Sequence, residues 1–272
     1  MAIYTGIGGS AKSVSKIYTG VDGTARPVHK GYIGVDGVAK KFYDGGNPIS
    51  SFALGTEFGI ADPSGKICWY KLIHKGVPGG GLYDSTANGA WLWRSSIAAS
   101  TSISGGYIYG YEGYALDNWC VNYPGGNIKS SVANRLMTVH LPYVKQADYS
   151  SANVSSGSNG LSRKCFLLSA VEMGVYTWQG IDGLMAQEGA KLDYFDYTTA
   201  ATDKRKADTT YWTRSKRTHN GNYMYTFYAD GSFSSAGGHR EDSYGLRPCI
   251  VLPLNTLVRT STFLFFPQNY ID

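Results

Sequence analysis

Side chains suited to acid–base or metal chemistry are dispersed along this chain of 272 residues. The histidines are His29, His74, His140, His219 and His239, and the cysteines are Cys68, Cys120, Cys165 and Cys249. The histidines show no H-x-x-H or H-E-x-x-H spacing and the cysteines no C-x-x-C pair, so neither a helical metal site nor a local zinc site is predicted. We expect no metal and no cofactor. We expect isolated buried thiols, with a disulfide left open because spacing alone does not decide it.

Acidic pairs for hydrolysis are equally hard to single out. Glu172, Glu188 and Asp193 could supply the two carboxylates of a glycosidase, but they fall in a helix-like segment and are expected to be solvated. Neither a G-x-S-x-G nucleophile elbow nor a G-x-x-x-x-G-K-S/T phosphate loop occurs. The sequence therefore predicts a protein that is not an enzyme.

Recognition chemistry is concentrated in one stretch, THNGNYMYTFYADGSF at residues 218–233. Rigid aromatic rings and small polar residues are typical of antibody paratopes, and the whole chain has 22 tyrosines and 35 glycines. The alternative is a loop-rich β protein, whose turns need glycine and whose strands favour tyrosine. The polar segment AGGHREDSY, residues 236–244, follows as a loop suited to the edge of a binding surface.

The alternation of this stretch predicts which residues contact a ligand. A two-residue turn at Asp230-Gly231 would place Tyr228 opposite Phe233. Met224, Thr226 and Tyr228 then share one face of the hairpin, and Tyr223, Tyr225 and Phe227 share the other. Both faces carry rings and only one can be core, so aromatic surface is left for a ligand unless loops within 74–112 cover it. The predicted ligand-binding residues are Arg217, His219, Asn220, Asn222, Tyr223, Tyr225, Tyr228, His239, Arg240, Asp242 and Tyr244.

Two motifs flank this stretch, YWTRS before it and YGLRP after it. We expect Trp212 to pack inside and Arg214 to set its planar fork on a carboxylate or on loop carbonyls. Gly245 permits a close backbone approach, Arg247 braces a loop, and Pro248 sets the entry to a strand. These five residues are predicted structural clamps that hold residues 216–244 in place.

The first 44 residues are a repeat of a different character. IYTGIGGSAKSVSK (3–16), IYTGVDGTARPVHK (17–30) and GYIGVDGVAKKFYD (31–44) align without gaps at a period of fourteen. Each unit predicts a strand, a turn and a strand, and three such hairpins must stack on each other or on a partner. Gly6-x-Gly8-x-x-Ala11 imitates a dinucleotide fingerprint, but it aligns with the turns of the sister units.

The remaining chain predicts one large domain. We expect a three-repeat β module at 1–44, a linker at 45–51 and a ligand-binding domain at 52–272. Short helices are predicted at 113–121 and 130–139, and buried strands at 66–73, 164–170 and 248–254. This mixture predicts an α+β fold with long loops.

Charge and hydropathy exclude several classes of partner. The net charge is +5, and the densest basic run, DKRKAD at 203–208, is flanked by acids and is expected to be a solvated loop. Such dilute charge predicts no nucleic-acid binding. No apolar run is long enough for an ordinary membrane-spanning helix, so no membrane insertion is predicted. The start, MAIYTGIGGSAKSV, lacks an apolar signal-peptide core.

The segments KICWYKLI, ALDNWCVNYPGG, KCFLLSAVEMG, YWTRS, YADGSF and YGLRPCIVL occur in that order over residues 52–258. This string resembles a family of mostly uncharacterised domains from Gram-positive bacteria and their phages, whose signature is W-x-R-S, a variable stretch with an Asp-Gly turn, and G-V/L-R-P. The resemblance implies a C-type-lectin-like fold, related to the variable proteins of diversity-generating retroelements and to formylglycine-generating enzymes. The repeated unit at 1–44 is similar to attachment modules of phage tail or other structural proteins.

The sequence departs from two activities known for that fold. Formylglycine-generating enzymes use a pair of cysteines near the C-terminal end, where this chain has only Cys249. The E-P-N or Q-P-D loops of calcium-dependent lectins are also absent. Neither activity is carried over.

The resemblance implies a phage or prophage virion protein, part of a tail fibre, baseplate or capsid. It would assemble in the host cytoplasm, leave by lysis, dock to other virion proteins through residues 1–44 and bind a host-surface protein or glycan. Diversification by a retroelement is one version of this hypothesis. The alternatives are a virion decoration or spacer without receptor binding and, third, an enzyme acting on surface glycans. A homo-oligomer such as a trimer stays open.

Overall fold

Short β-strands make up most of the regular structure of this protein. The computed structural model describes residues 4–7, 10–13, 17–21, 24–28, 30–35, 38–44, 46–103, 108–147, 152–180, 183–217, 221–263 and 266–271. Two α-helices occur in these ranges, α1 (Ala115–Asn127) and α2 (Ser130–Ala133), with 3-10 turns at Ile49–Ser51, Ser85–Ala87 and Gly157–Asn159. The strands are β1 (Tyr4–Ile7), β2 (Ser10–Ser13), β3 (Ile17–Val21), β4 (Thr24–Val28), β5 (Lys30–Val35), β6 (Val38–Asp44), β7 (Asn47–Pro48), β8 (Glu57–Ala61), β9 (Ile67–Gly76), β10 (Gly89–Arg94), β11 (Ala99–Thr101), β12 (Val139–Leu141), β13 (Tyr143–Ala147), β14 (Ala152–Ser155), β15 (Leu161–Arg163), β16 (Cys165–Leu167), β17 (Trp178–Gly180), β18 (Gly183–Met185), β19 (Tyr211–Lys216), β20 (Tyr223–Phe227), β21 (Phe233–His239), β22 (Tyr244–Leu246), β23 (Pro248–Leu252), β24 (Leu257–Phe263) and β25 (Phe266–Ile271).

The prediction of an α+β, C-type-lectin-like fold is wrong, because the described structure is mainly β with several sheets. The helix expected at 130–139 is the single turn α2, after which Val139–Leu141 pairs as β12 with β15. The helix-like segment around Glu172 and Glu188 forms turns, loops and the short β17–β18 hairpin instead. Gly174 and Gly189 interrupt it at positive φ angles of 89° and 128°, values that a helix does not accommodate.

The predicted helix at 113–121 is present as α1. Leu116, Cys120 and Tyr123 repeat at helical spacing and form its buried side. Asp117 is buried in its first turn, where it accepts hydrogen bonds from Arg163 Nε at 2.7 Å and Arg163 Nη2 at 2.6 Å. This helix packs against β16.

An eight-stranded sheet forms the centre of the molecule, in the order β16-β23-β10-β9-β8-β25-β24-β7. The buried strands predicted at 66–73, 164–170 and 248–254 are confirmed as β9, β16 and β23. In β10, the run Ala90–Trp93 is buried at every position, which is the pattern of a central strand covered on both faces.

Both ends of the large domain meet in this sheet. Asn47–Pro48 pairs with Leu257–Val258, and β25 lies parallel to β8 while pairing antiparallel with β24. Ile49 is completely buried. Residues 47–51, expected to be a linker, therefore take part in the sheet and the core.

A five-stranded sheet in the order β11-β22-β19-β20-β21 carries the predicted binding stretch and both clamp motifs. Trp93 of the larger sheet contacts Tyr211 of β19, with ring centroids 6.0 Å apart. Trp93 also contacts Phe195, at 5.5 Å. The hydrophobic core thus extends between the two sheets.

The three N-terminal repeats form three antiparallel hairpins, β1 with β2, β3 with β4 and β5 with β6. In the second, Ile17 pairs with Val28 and Val21 with Thr24, so each fourteen-residue unit closes on itself. Each hairpin is a separate two-stranded sheet.

Candidate binding surface

The Arg214 clamp is a buried ion pair with several additional hydrogen bonds. Arg214 and Glu172 are both completely buried. Arg214 Nη2 donates to Glu172 Oε1 at 2.7 Å, and Nη1 contacts the other carboxylate oxygen. The guanidinium also donates to the carbonyl oxygens of Leu167 at 3.1 Å and Glu188 at 2.9 Å. The expected fork on a carboxylate and on loop carbonyls is confirmed, and it ties β19 to three separate segments.

Electrostatics support this reading of Arg214. Burial opposes its charge, but the attraction of Glu172 and the hydrogen bonds between the two raise the pKa of Arg214 above its usual range. Tyr83 Oη completes the site by donating to Glu172 Oε1 at 2.6 Å. Removal of either charged partner would leave the other ion buried and uncompensated.

The other two candidate acids differ from each other. Glu188 is buried and accepts from the Val144 amide at 2.9 Å, whereas the side chain of Asp193 is 59% exposed. Burial outweighs the attraction of Arg214 and raises the pKa of Glu188 to about 7. The expectation of solvated carboxylates is therefore wrong for Glu172 and Glu188, which serve the interior of the fold.

Arg247 is the second clamp. Its guanidinium carbon lies 3.4 Å from the centroid of the Trp93 ring, a close cation–π contact. It donates to the carbonyl oxygens of Ser95 at 3.0 Å and Lys206 at 3.1 Å, and further to those of Arg94 and Arg205. The expected bracing role is thus present, because one side chain joins the loops after β10 and before β19.

The remaining clamp residues are also positioned by packing. Trp212 is 1% exposed and donates from Nε1 to Thr101 O at 2.9 Å. Its ring contacts that of Tyr244, with the two centroids 4.9 Å apart. Gly245 lies so close to Ile97 that a Cβ atom would be 2.5 Å from its Cδ1. Pro248 is buried and pairs with Leu167 at the start of β23.

Strand β20, which these clamps hold, is buried on both faces. Met224 and Thr226 are each 1% exposed, and Tyr225 and Phe227 are completely buried. Ile103 and Ile108 lie beside Met224, while the Arg205 guanidinium carbon is 4.7 Å from the centroid of Phe227. The protein's own loops cover the central rings, so the prediction that Tyr225 contacts a ligand is wrong.

The hairpin turn is longer than two residues. Phe227, not Tyr228, pairs with Phe233, and the Tyr228 amide donates to Ser232 O at 2.9 Å. Gly231 adopts a φ of 83°, which fits a three-residue loop ending in a left-handed residue. Tyr228 is 48% exposed at this turn.

The opposite end of the β20–β21 hairpin brings together most of the predicted ligand-binding residues. The Tyr223 and His239 rings pair across the two strands, with centroids 5.1 Å apart at 70°. The Arg217 guanidinium carbon is 5.6 Å from the Tyr223 centroid, and its Nη1 donates to Ala236 O at 2.7 Å. All three side chains are partly exposed.

The loop after β21 continues this surface. The Arg240 amide donates to Asn222 O at 2.7 Å, and the His239 amide donates to Asp242 Oδ2 at 2.8 Å. Burial and a hydrogen bond to Asp242 raise the pKa of Tyr244. We call this set the rim cluster; its members are Arg217, Asn222, Tyr223, His239, Arg240, Asp242 and Tyr244.

Of the predicted ligand-binding residues, Tyr228 lies at the far end of the hairpin and Tyr225 inside it, whereas His219 and Asn220 fall outside the described residues. The rim cluster offers ring faces, guanidinium donors and a carboxylate. Within it, the Tyr244 hydroxyl is hydrogen-bonded to the Asp242 carboxylate.

Lys216 lies beneath Tyr223 of the rim cluster, and the sequence does not predict its burial. It is 2% exposed, and its Nζ donates to the carbonyl oxygen of Tyr223 at 3.0 Å. Burial, and then repulsion by Arg217, lower the pKa of Lys216 to about 7. Arg205, in the run expected to be a solvated loop, is also completely buried, and that expectation is wrong for it.

Metal and thiol chemistry find no support in the described ranges. No three His, Cys, Asp or Glu side chains are grouped there as ligands for a metal ion. The four cysteines are free and buried, as expected, but they are not all isolated, because Cys165 is hydrogen-bonded to Cys120. Neither described helix has the length and apolar character needed to cross a membrane.

Residues 88–254 match the model of a protein family described as a domain of unknown function (DUF6273). The chain belongs to this family, because the match covers more than half of it. No curated protein and no solved structure matches the chain. The matched range includes β10 to β23, both clamps and the rim cluster, and excludes the N-terminal hairpins.

Proposed function

We propose that this protein is a phage or prophage virion component that binds a host-surface protein or glycan through the rim cluster. The observation that carries the proposal is the placement of two partly exposed rings, Tyr223 and His239, beside Arg217 on a hairpin fixed from within. Aromatic and arginine side chains dominate the energetics of protein recognition.

Rigidity favours this role over that of an ordinary loop. The rim cluster continues strands β20 and β21, whose inner residues are buried, and β19 beside them is anchored by Arg214. A surface held in its bound geometry loses less conformational entropy when a ligand binds. The residues around Tyr223 therefore suit specific binding.

Residues 1–44 would supply the attachment to other virion proteins. Three sequence units of fourteen residues each form a hairpin, and the similarity of the repeated unit to phage attachment modules supports this half of the proposal. Many copies on one particle would raise overall affinity through avidity.

The burial of Tyr225 and Phe227 supports the alternative of a virion decoration or spacer, because fewer rings face outward than the sequence predicts. In that alternative the rim cluster packs on a neighbouring subunit, as in a homotrimer, and no receptor is bound. Native mass spectrometry of the full chain distinguishes the two, since a stable trimer that dissociates on Tyr223→Ala would favour the spacer.

Receptor binding is tested with labelled full-length protein and intact Gram-positive cells. We expect Tyr223→Ala to weaken saturable binding at least about tenfold, because a central ring is lost from the contact surface. The matched control is Tyr228→Ala, which removes an exposed tyrosine from the other end of the same hairpin and should leave binding unchanged.

Equal binding by wild type and Tyr223→Ala, or no saturable binding to any strain of a broad host panel, would reject the rim cluster as a receptor site. Release of soluble sugar from wall polysaccharide would instead favour the third alternative, an enzyme acting on surface glycans.

A further inference from the structure

A second aromatic surface lies away from the predicted binding stretch. Tyr176 and Tyr197 stack with ring centroids 4.4 Å apart and planes within 9° of parallel. Tyr176 is 63% exposed and Tyr197 is 51% exposed. Among the ring contacts of the described residues, this is the only pair in which both partners are more than half exposed.

The backbone beneath these exposed rings is fixed. Gly174 has a φ of 89°, and a Cβ atom there would lie 2.0 Å from the carbonyl oxygen of Asp196, so the two ring-bearing segments meet at backbone distance. The Thr198 amide donates to Gly174 O at 3.1 Å. Only glycine allows this approach.

Arg205 holds the same two segments from inside. It is completely buried, and its guanidinium donates to Met173 O at 3.2 Å, Thr198 O at 2.7 Å and Ala200 O at 2.6 Å. One buried cation thus fixes the chain just before Tyr176 and just after Tyr197. A rigid support for rings that face solvent is the arrangement expected of a preorganised binding site.

Polar groups lie beside the stack, and one of the two lysines there is paired with a carboxylate. Lys191 Nζ lies 5.2 Å from the Tyr197 centroid and donates to Phe195 O at 2.8 Å. Lys204 Nζ contacts Asp196 Oδ1 at 2.9 Å. These side chains provide hydrogen-bond donors and one carboxylate acceptor beside the rings.

We propose that Tyr176, backed by the stacked ring of Tyr197, offers the free outer face of its ring as a stacking platform that binds a neutral saccharide. The negative face of an aromatic ring attracts the positively polarised C–H groups on one side of a sugar ring, and the sugar hydroxyls then reach polar groups at the edge. Lys191, which lies over the Tyr197 ring, and Asp196, which precedes Tyr197 in the chain, are the polar groups offered to such hydroxyls. Single-stranded nucleic acid fits less well, because its backbone needs a positively charged groove.

The test is affinity electrophoresis of the full-length protein in native gels containing dextran, galactomannan, xylan or poly-dT. We expect retardation by at least one neutral polysaccharide and none by poly-dT. Tyr176→Ala and Tyr197→Ala should each weaken binding at least about fivefold, whereas Tyr176→Phe and Tyr197→Phe, which keep the ring face, should retain it. Both tyrosines are exposed, so these variants should keep the wild-type unfolding midpoint.

Absence of retardation in every polysaccharide gel, together with no change in tyrosine fluorescence on titration with the component monosaccharides, would overturn the proposal. Equal retardation of wild type and both alanine variants would do the same, and tyrosine-dependent retardation by poly-dT would replace the saccharide with a nucleic acid. The matched control Tyr228→Ala, which removes an exposed tyrosine outside both proposed sites, should leave the retardation unchanged. Retardation that depends on Tyr223 and not on Tyr176 would assign the saccharide to the rim cluster and overturn this proposal, so the two proposals can fail separately.

Discussion

At the residue scale, three buried arginines donate hydrogen bonds to backbone carbonyl oxygens, as backbone amides do within a helix or sheet. Arg205, Arg214 and Arg247 donate to carbonyl oxygens of loops, among them those of Thr198, Glu188 and Ser95. A guanidinium suits this position because it stays charged and presents several donors in one plane. Long loops can therefore be rigid in this fold without belonging to a strand or helix.

The same buried region makes stability depend on pH through Glu188. Its pKa is raised to about 7 in the folded protein from an ordinary value of 4.5, so the folded state holds a proton that the unfolded state has lost. The stabilising contribution is complete below the unfolded value and disappears as the pH rises through about 7. Glu188→Gln keeps an acceptor for the Val144 amide and removes the titration.

We expect the free energy of unfolding of the wild type, relative to Glu188→Gln, to fall by about 1–3 kcal/mol between pH 5 and pH 7. Urea titrations at both pH values measure the difference. Parallel behaviour of the two proteins would show that Glu188 titrates near its ordinary range in the folded state.

Sequence reasoning found some of these residues and missed others for physical reasons. Trp212, Arg214 and Arg247 occur in short motifs in which an arginine adjoins apolar strand residues, and burial could be anticipated there. Arg205 stands in the polar run DKRKAD, where nothing in the local pattern separates one buried cation from its solvated neighbours. Glu172 can be buried because Arg214 compensates its charge. The two residues are 42 positions apart in the chain, so sequence spacing does not reveal that they pair.

At the element scale, β20 shows the limit of alternation as a guide. Tyr223, Met224, Tyr225 and Phe227 suggest one core face and one exposed face, but β20 lies between β19 and β21 and loops cover both sides. Alternation gives faces only when one side of a sheet meets water. The exposed part of the predicted surface is therefore the end of the hairpin and not its length.

The turn of this hairpin depends on Gly231. Its φ is 83°, and a Cβ atom would lie 2.4 Å from the carbonyl oxygen of Thr202. Gly65 is a matched control, since its φ is 92° but no atom lies within 4 Å of its Cβ position. We expect Gly65→Ala to cost about 1 kcal/mol through backbone strain, and Gly231→Ala to cost about 2 kcal/mol more through the added clash.

Chemical denaturation of both variants gives the two costs. If the costs were equal, the loop around Thr202 would have room to move, and the turn would not be locked against it.

At the scale of the whole molecule, short strands and long-range strand pairings explain why the sequence predicts the wrong fold class. The buried strands β9, β16 and β23 were predictable from compact apolar runs, and the hairpins from their repeat. The many three-residue strands, such as β11, β12 and β22, carry too little pattern to be recognised, so loops and helices were expected in their place. Long-range pairings, such as β16 with β23, determine the architecture.

The C-terminal hairpin is expected to be essential for this architecture. Deleting residues 257–272 removes β24 and β25 and the buried side chains of Val258 and Ile271. It leaves β7 without its partner and turns β8 into an edge strand that pairs only with β9. We expect the truncated protein to lose its cooperative thermal transition. Deleting residues 1–44 leaves both large sheets complete and should preserve that transition.

Calorimetry of the two deletions compares them directly. A truncated protein that melted at the wild-type midpoint would mean that the eight-stranded sheet is stable without its last two strands.

The parallel pairing of β25 with β8 also bears on how the chain matures during synthesis. Phe58 to Ile60 leave the ribosome more than 200 residues before their neighbours Asn269 to Ile271. The growing polypeptide must therefore carry an unfinished sheet edge throughout translation, and domains with such late closure are exposed to misassociation until then. We expect the edge of β8 to stay open to association with other chains until Asn269 to Ile271 are synthesised.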